Sequence, residues 1–157
     1  MILVTGATGL VGAHLVLALL QKGEKVRATY RTLAAIKKTE KLFHLLNHSN
    51  LFENIEWVEA EITDIPALEK AFTGIEYVYH CAAMISFDDS DADFMYKTNT
   101  EGTANIVNLS LHHQIKKLCY VSSIAALGHH KKKSEWIHEE TEWNPELVDD
   151  DYSLTKY

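Results

Sequence analysis

Short apolar runs alternate with amphipathic stretches along most of this chain. The runs are nearly continuous, as in strands buried on both faces of a sheet, and the stretches between them carry apolar residues at helical spacing. The pattern predicts strands over residues 1–6, 25–30, 54–60, 76–83 and 117–123, and helices over residues 10–22, 34–46, 65–72 and 91–113. Alternating strands and helices predict an α/β fold whose parallel sheet is covered on both faces.

Local signals mark several element ends. Gly23 is placed to stop the first helix, and Asp64 to cap a helix whose first turn contains Pro66. After Ala126 the periodicity is lost, and the charged residues and tryptophans there predict a loop-rich segment. The final residues, DDDYSLTKY, predict the start of a helix whose body is absent, so we expect the N-terminal part of a longer protein.

Amino-acid composition and net charge exclude some classes of binding partner. The chain has 157 residues, the size of one domain, and its 22 acidic and 15 basic residues give a net charge of -7, which argues against nucleic acid. The first twenty residues carry no acid, lysine or arginine, but they lack a basic start and are interrupted by TGATG. We therefore expect neither a targeting segment nor a membrane span in these residues. We expect a cytoplasmic protein without a membrane partner, with Cys81 and Cys119 as reduced core thiols.

Three glycines lie between the first predicted strand and the first predicted helix, in VTGATGLVGAH. This position predicts a phosphate-binding turn. Gly6 permits the sharp turn, Gly9 lets the backbone approach a pyrophosphate, and Gly12 allows the helix to pack closely on the strand. The helix N-terminus then offers amides to the anion. The first two glycines are one residue further apart than in GxGxxG, and a Walker A loop is excluded because no Gly-Lys-Ser/Thr follows.

The chain resembles the extended short-chain dehydrogenase/reductase family, whose signature TGxxGxxG matches residues 5–12. Four further segments match in order: HCAA at 80–83, TNTEGT at 98–103, YVSSIAALG at 120–128 and YSLTK at 152–156. Within the family, VRATYR is most similar to the dihydroflavonol reductase and 3β-hydroxysteroid dehydrogenase branch. The resemblance implies a three-layer Rossmann fold with a doubly wound parallel sheet of order 3-2-1-4-5. Residues 1–157 would then be its NAD(P)-binding domain, with the C-terminal substrate region absent. In the family the helix that follows Tyr152 often contributes to a dimer, so a homodimer of the full-length protein stays open.

The resemblance also implies a set of cofactor contacts. At the end of the second strand an acid selects NAD, whereas an arginine accommodates the 2′-phosphate of NADP. Arg31 stands there, with Lys37 and Lys38 nearby, so we expect NADP, with NAD as the alternative. Glu61 replaces the family's aspartate near the adenine, which leaves that contact open, and Ile62 follows it. The implied contacts are Gly6, Thr8, Gly9, Leu10, Val11, Gly12, Arg31, Glu61, Ile62, Ala82, Ala83, Asn99 and Lys156.

Tyr152 and Lys156 are four residues apart, so on a helix both face the same side. An ammonium beside a phenol stabilises the phenolate, which can exchange a proton with a substrate oxygen while hydride passes to or from the nicotinamide. Ser123 takes the third catalytic role and positions the substrate oxygen. Ser122 is the alternative, but matching Gly128 to the glycine that follows the family motif favours Ser123.

These residues predict an NADP-dependent oxidoreductase that reduces a carbonyl or oxidises a secondary alcohol of a small-molecule substrate. We expect low activity from a chain that lacks the substrate region. The alternatives are a nucleotide-sugar epimerase or dehydratase with the same residues, and a non-catalytic NADP sensor. No metal is expected: among the nine histidines, His44 and His48 are four apart on a predicted helix, but no third ligand accompanies them.

Overall fold

The computed structural model describes residues 1–127, 136–148 and 150–157. The chain divides into two compact units. The first comprises Met1–Ala83 and Gly102–Val121, and the second Met84–Glu101 and Ser122–Tyr157. None of the helices formed by the described residues has the length and apolar character needed to span a lipid bilayer.

The first unit is built on a five-stranded sheet. Its strands are β1 (Ile2–Thr5), β2 (Val26–Tyr30), β3 (Ile55–Glu59), β4 (Tyr77–His80) and β5 (Lys117–Tyr120). They lie in the order β3-β2-β1-β4-β5, and every neighbouring pair is parallel. The carboxyl ends of the strands therefore meet at one edge, and the predicted sheet and strand order are confirmed.

The described residues form seven α-helices. They are α1 (Leu10–Gln21), α2 (Leu33–Leu45), α3 (Ser49–Phe52), α4 (Ile65–Phe72), α5 (Ala92–Tyr96), α6 (Gly102–His112) and α7 (Asp151–Lys156). The single helix predicted over residues 91–113 is divided by a turn at Lys97–Glu101, and the four-residue helix Ser49–Phe52 was not predicted. Successive residues of the central strand β1 point to opposite faces: Val4 packs with Val16 and Phe43 on one side, and Leu3 packs with Leu68 and Ile106 on the other. Both faces of the sheet carry a buried cluster, as the continuous apolar strands predicted.

Two predicted helix ends are confirmed. Asp64 caps α4, because its Oδ1 accepts a hydrogen bond from the Ala67 N–H at 3.1 Å. Gly23 follows α1 with φ +77°, a conformation in which a side chain would be strained. The expectation for the cysteines is only half right. Both are free, and Cys81 is half-buried, but Cys119 is exposed. β5 is an edge strand whose exposed and half-buried residues alternate, so this face of it lacks the cover that a core thiol needs.

The second unit has less regular structure. α5 is followed by a π-helical turn, Lys97–Glu101, and short 3₁₀ turns form at Asp89–Asp91, Ile124–Leu127 and Pro145–Leu147. The predicted terminal helix is present as α7. Asp150 caps it by accepting hydrogen bonds from the Ser153 N–H at 2.8 Å and the Ser153 hydroxyl at 2.6 Å. α7 packs against α5 and against the 3₁₀ turn at Ile124–Leu127.

Candidate cofactor and catalytic site

The glycine turn joins β1 to α1 at the carboxyl edge of the sheet. Gly6 has φ +67°, and a Cβ there would lie 2.6 Å from the Ala82 nitrogen. A Cβ on Gly12 would lie 2.7 Å from the Gly6 carbonyl carbon and 2.9 Å from the Ala7 Cα. Backbone atoms occupy both positions, so the turn can close against β4 and α1 only when both residues lack a side chain.

Gly9 has a different environment. It is the N-cap of α1, and within 4 Å its Cβ position meets only the Gly6 carbonyl oxygen, at 3.3 Å. Among the described residues no side chain caps the helix, and its first turn contains no acidic residue. The first amides of α1 therefore meet neither a capping oxygen nor a carboxylate, and a diphosphate fits this end of the helix. Thr8 is half-buried here, while the side chains of Leu10 and Val11 are 77% and 56% exposed.

A hydrogen-bonded network that was not predicted from the sequence lies beside the glycine turn. The buried side chain of Thr5 is hydrogen-bonded through Oγ1 to His80 Nδ1 at 2.6 Å, and His80 Nε2 to Thr103 Oγ1 at 3.0 Å. The His80 ring also stacks on Tyr120 at 5.3 Å, and the Ala82 N–H donates to Thr5 Oγ1 at 3.4 Å. The network fixes the ends of β1, β4 and β5 beside the glycine turn. The HCAA motif was the available signal, since a histidine inside a buried strand needs polar partners.

Arg31 is exposed and directly follows β2, while Lys37 and Lys38 are exposed on α2. Within the described part of the chain, the Arg31 guanidinium forms neither a hydrogen bond nor an ion pair, so it is available to an anion. Glu61 is half-buried just beyond β3, and its carboxylate likewise bonds no described residue. Ile62 instead lies in the core, where its side chain meets the Cβ position of Gly102. Beyond β4, Ala82 is half-buried and Ala83 is exposed.

The predicted catalytic residues all belong to the second unit. Tyr152 is half-buried and Lys156 is only 5% exposed, one turn apart on α7. Ser123 precedes the 3₁₀ turn that packs on α7, and its Oγ accepts a hydrogen bond from the Ala125 N–H at 3.2 Å. Ser122 is exposed. The turn thus brings Ser123 toward the helix that carries Tyr152 and Lys156. The motif match that favoured Ser123 over Ser122 depends on Gly128, which lies outside the described residues.

Asn99 is buried in the π-helical turn and connects two segments of the second unit. Its Oδ1 accepts from the Met84 N–H at 2.7 Å, and its Nδ2 donates to the Met84 carbonyl at 2.8 Å and to Thr155 Oγ1 at 2.9 Å. Thr155 in turn donates to the Tyr152 carbonyl at 2.8 Å. Both amide hydrogens of Asn99 are therefore used internally, and the side chain holds α7 rather than offering a donor to a cofactor.

Comparisons with known proteins give the family to which the sequence is similar. The model of the NAD dependent epimerase/dehydratase family matches residues 2–157. A putative dihydroflavonol 4-reductase of Synechocystis is 35% identical over 125 residues, which are 80% of this chain and 33% of the relative. Cinnamoyl-CoA reductase 1 of rice is 30% identical over 145 residues, covering 92% of this chain and 40% of the relative.

Among solved structures, a short-chain dehydrogenase/reductase superfamily protein from Agrobacterium tumefaciens with bound NAD superposes with a TM-score of 0.78. It is 27% identical, and the match covers 99% of this chain and 42% of that one. The chain therefore spans well under half the length of these similar proteins. The glycine turn, the strand order and a family match over nearly every residue lead to one conclusion: the chain belongs to the NAD dependent epimerase/dehydratase family, of the extended short-chain dehydrogenase/reductase type.

Proposed function

We propose that this chain is the dinucleotide-binding part of an NADP-dependent oxidoreductase, which reduces a carbonyl or oxidises a secondary alcohol of a small molecule. One observation carries the proposal: Tyr152 and Lys156 lie one turn apart on α7, and the turn that follows Ser123 packs against this helix. A phenol, an ammonium and a hydroxyl are the groups needed to bind a substrate oxygen and move a proton at it.

Each residue has one role in this proposal. Tyr152 donates its phenolic proton to the substrate oxygen during reduction and takes it back during oxidation. Lys156, nearly buried, stabilises the phenolate electrostatically. Ser123 donates a hydrogen bond that orients the same oxygen. The nicotinamide of the bound cofactor supplies or accepts the hydride.

The first unit would hold the cofactor through two features. The first-turn amides of α1 and the open side of Gly9 suit the diphosphate. The exposed guanidinium of Arg31, without an acid at this strand end, suits a 2′-phosphate, which it can bind with two parallel hydrogen bonds. NADP is therefore the proposed cofactor.

A titration of the 157-residue chain with NADP and with NAD by calorimetry tests the cofactor. We expect wild type to bind NADP at least tenfold more tightly than NAD, and Arg31→Asp to reverse the order, because a carboxylate repels the 2′-phosphate and accepts from a ribose hydroxyl. Lys25→Asp is the matched control, since it makes the same charge change at the other end of β2 and should shift neither affinity by more than twofold. An unchanged preference in Arg31→Asp would refute the assignment.

The alternative is an epimerase or dehydratase, in which hydride leaves a nucleotide sugar and returns to it. The family as a whole includes this chemistry. The reductase is favoured because the two relatives described above are both named as reductases. Stoichiometric oxidation of NADPH by an added aldehyde or ketone supports the reductase. Isomerisation of a nucleotide sugar without net oxidation or reduction of the cofactor would instead identify an epimerase or dehydratase.

A further inference from the structure

Three metal-ligating side chains come together in the first unit: two adjacent histidines and a glutamate more than forty positions before them. They are Glu69 on α4, His112 at the last position of α6, and His113 beyond it. One donor atom from each lies within 4.8 Å of the others, and no other group of this kind occurs in the described part of the chain. No metal was expected from the sequence, because no third ligand accompanied the pair His44 and His48.

The packing that holds this cluster is specific. The His113 ring lies 5.5 Å from the Phe72 ring, and its Nε2 is hydrogen-bonded to Glu69 Oε2 at 2.8 Å. The His112 ring meets the His113 ring edge-on, with 5.2 Å between centroids. Neighbouring helical residues normally point in different directions. Here both histidines lie at the end of α6, and a nitrogen of each lies near the same carboxylate.

We propose that Glu69, His112 and His113 bind one divalent transition-metal ion of the Zn²⁺ class, through a carboxylate oxygen and two imidazole nitrogens. These donors match the borderline ligands that Zn²⁺ takes, and three protein ligands leave a fourth position for water or an added ligand. Zn²⁺ bonds of about 2.0–2.2 Å place tetrahedral donors about 3.3 Å apart. Donors up to 4.8 Å apart must therefore close by up to about 1.5 Å, and the Glu69–His113 pair, at 2.8 Å, must open by about 0.5 Å. His112 and Glu69 reach solvent and have the freedom to do so.

Two further features favour a cation at this place. The site lies at the C-terminal end of α6, where the carbonyl groups give the helix its partial negative charge. The Glu69–His113 hydrogen bond fixes one imidazole and the carboxylate in advance, which lowers the entropy cost of assembling the ligands. The Glu69–His113 hydrogen bond explains why those two side chains are close together, but it does not explain the position of His112. A metal site explains all three positions.

The site is at the opposite edge of the sheet from the glycine turn. Glu69 lies in the last turn of α4, which leads to the amino end of β4, and His113 leads to the amino end of β5. The glycine turn follows the carboxyl end of β1, which runs parallel to both. The metal would join α4 to α6, two helices on one face of the sheet, so it should stabilise the first unit without taking part in the proposed redox chemistry.

Zinc chloride titrated into the full chain by calorimetry tests the site, with His112→Ala and Glu69→Gln as variants. Both should fold, since His112 is exposed and glutamine keeps the size of Glu69 and its hydrogen bond to His113. We expect wild type to bind one Zn²⁺ at this site, and each variant to raise its Kd at least tenfold. Zn²⁺ should also raise the melting temperature of wild type and not that of His112→Ala.

His44→Ala and the double variant of His129 and His130 to alanine are the controls, since they remove histidines elsewhere in the chain. Neither should change the Kd by more than threefold. Equal Zn²⁺ affinity in wild type, His112→Ala and Glu69→Gln would overturn the proposal, as would loss of binding in the double variant alone.

Discussion

Replacing Gly12 with alanine tests the close packing of α1 against the glycine turn. The added methyl carbon would lie 2.7 Å from the Gly6 carbonyl carbon and 2.9 Å from the Ala7 Cα, where ordinary contact begins at 3.4 Å. These neighbours are backbone atoms, so relief requires α1 to move away from β1. Overpacking of this kind costs about 3 kcal/mol at the upper end of its range. Alanine returns about 1 kcal/mol through its better helix propensity. The net loss is therefore about 2 kcal/mol.

For a chain of this length, 1 kcal/mol shifts the melting temperature by about 3 °C, so we expect Gly12→Ala to melt about 6 °C below wild type. Thermal unfolding followed by circular dichroism measures this. Gly9→Ala is the matched control: its methyl group meets only the Gly6 oxygen, at 3.3 Å, and its φ of -87° suits any residue. It should lose no more than about 1 kcal/mol, as expected for alanine at an N-cap, yet weaken NADP binding at least tenfold. A Gly12→Ala chain as stable as wild type would refute the packing argument.

Three other changes have defined outcomes. Tyr152→Phe should slow carbonyl reduction by about 10²–10⁴-fold, the usual contribution of an acid–base group, and leave the calorimetric Kd for NADP within twofold. Asn99→Ala should lower the free energy of unfolding in urea by about 3 kcal/mol, because three hydrogen bonds are lost, one of them buried and two partly buried. Burial raises the pKa of the Cys81 thiol to about 11, so only about 0.1% is thiolate at pH 8. Maleimide labelling followed by mass spectrometry should therefore modify the exposed Cys119 first.

Each of these has a contrary result. If Tyr152→Phe reduced the carbonyl as fast as wild type, a group other than Tyr152 would be the proton donor. If Asn99→Ala were as stable as wild type, the three hydrogen bonds of Asn99 would contribute no net free energy relative to hydrogen bonds with water. If maleimide modified Cys81 as fast as Cys119, the burial that raises the pKa of Cys81 would be contradicted. The variant Cys119→Ser is the control, because it should remove the fast labelling reaction and so show that this reaction belongs to Cys119.

Residues close in sequence were predicted well, because their structure depends on local rules. The glycine turn needed only a strand before it and a helix after it, and the cap at Asp64 needed only the residues of the next turn. The strand order came from the resemblance to a known family, since periodicity alone does not say which strands are neighbours. The short helix at Ser49–Phe52 was missed, because four residues carry no period.

Contacts between distant residues were not predictable in the same way. Thr5 and His80 are hydrogen-bonded across 75 positions, and Glu69 meets His113 across 44. No spacing rule connects such pairs, and only the sheet order brings them together. The exposure of Cys119 was missed for the same reason, since an apolar strand does not reveal that it forms the edge of the sheet.

The π-helical turn at Lys97–Glu101 carries two neighbouring buried polar side chains with different hydrogen bonding. A π turn is rare and is found often at functional sites. Here it leaves the buried Thr98 hydroxyl without a hydrogen-bond partner among the described residues, a cost of about 1–3 kcal/mol. The side chain of the next residue, Asn99, makes three hydrogen bonds, and the buried one reaches α7. Because the α7 residue that accepts this bond also donates to the Tyr152 carbonyl, the distorted turn fixes the backbone that carries the proposed acid–base group.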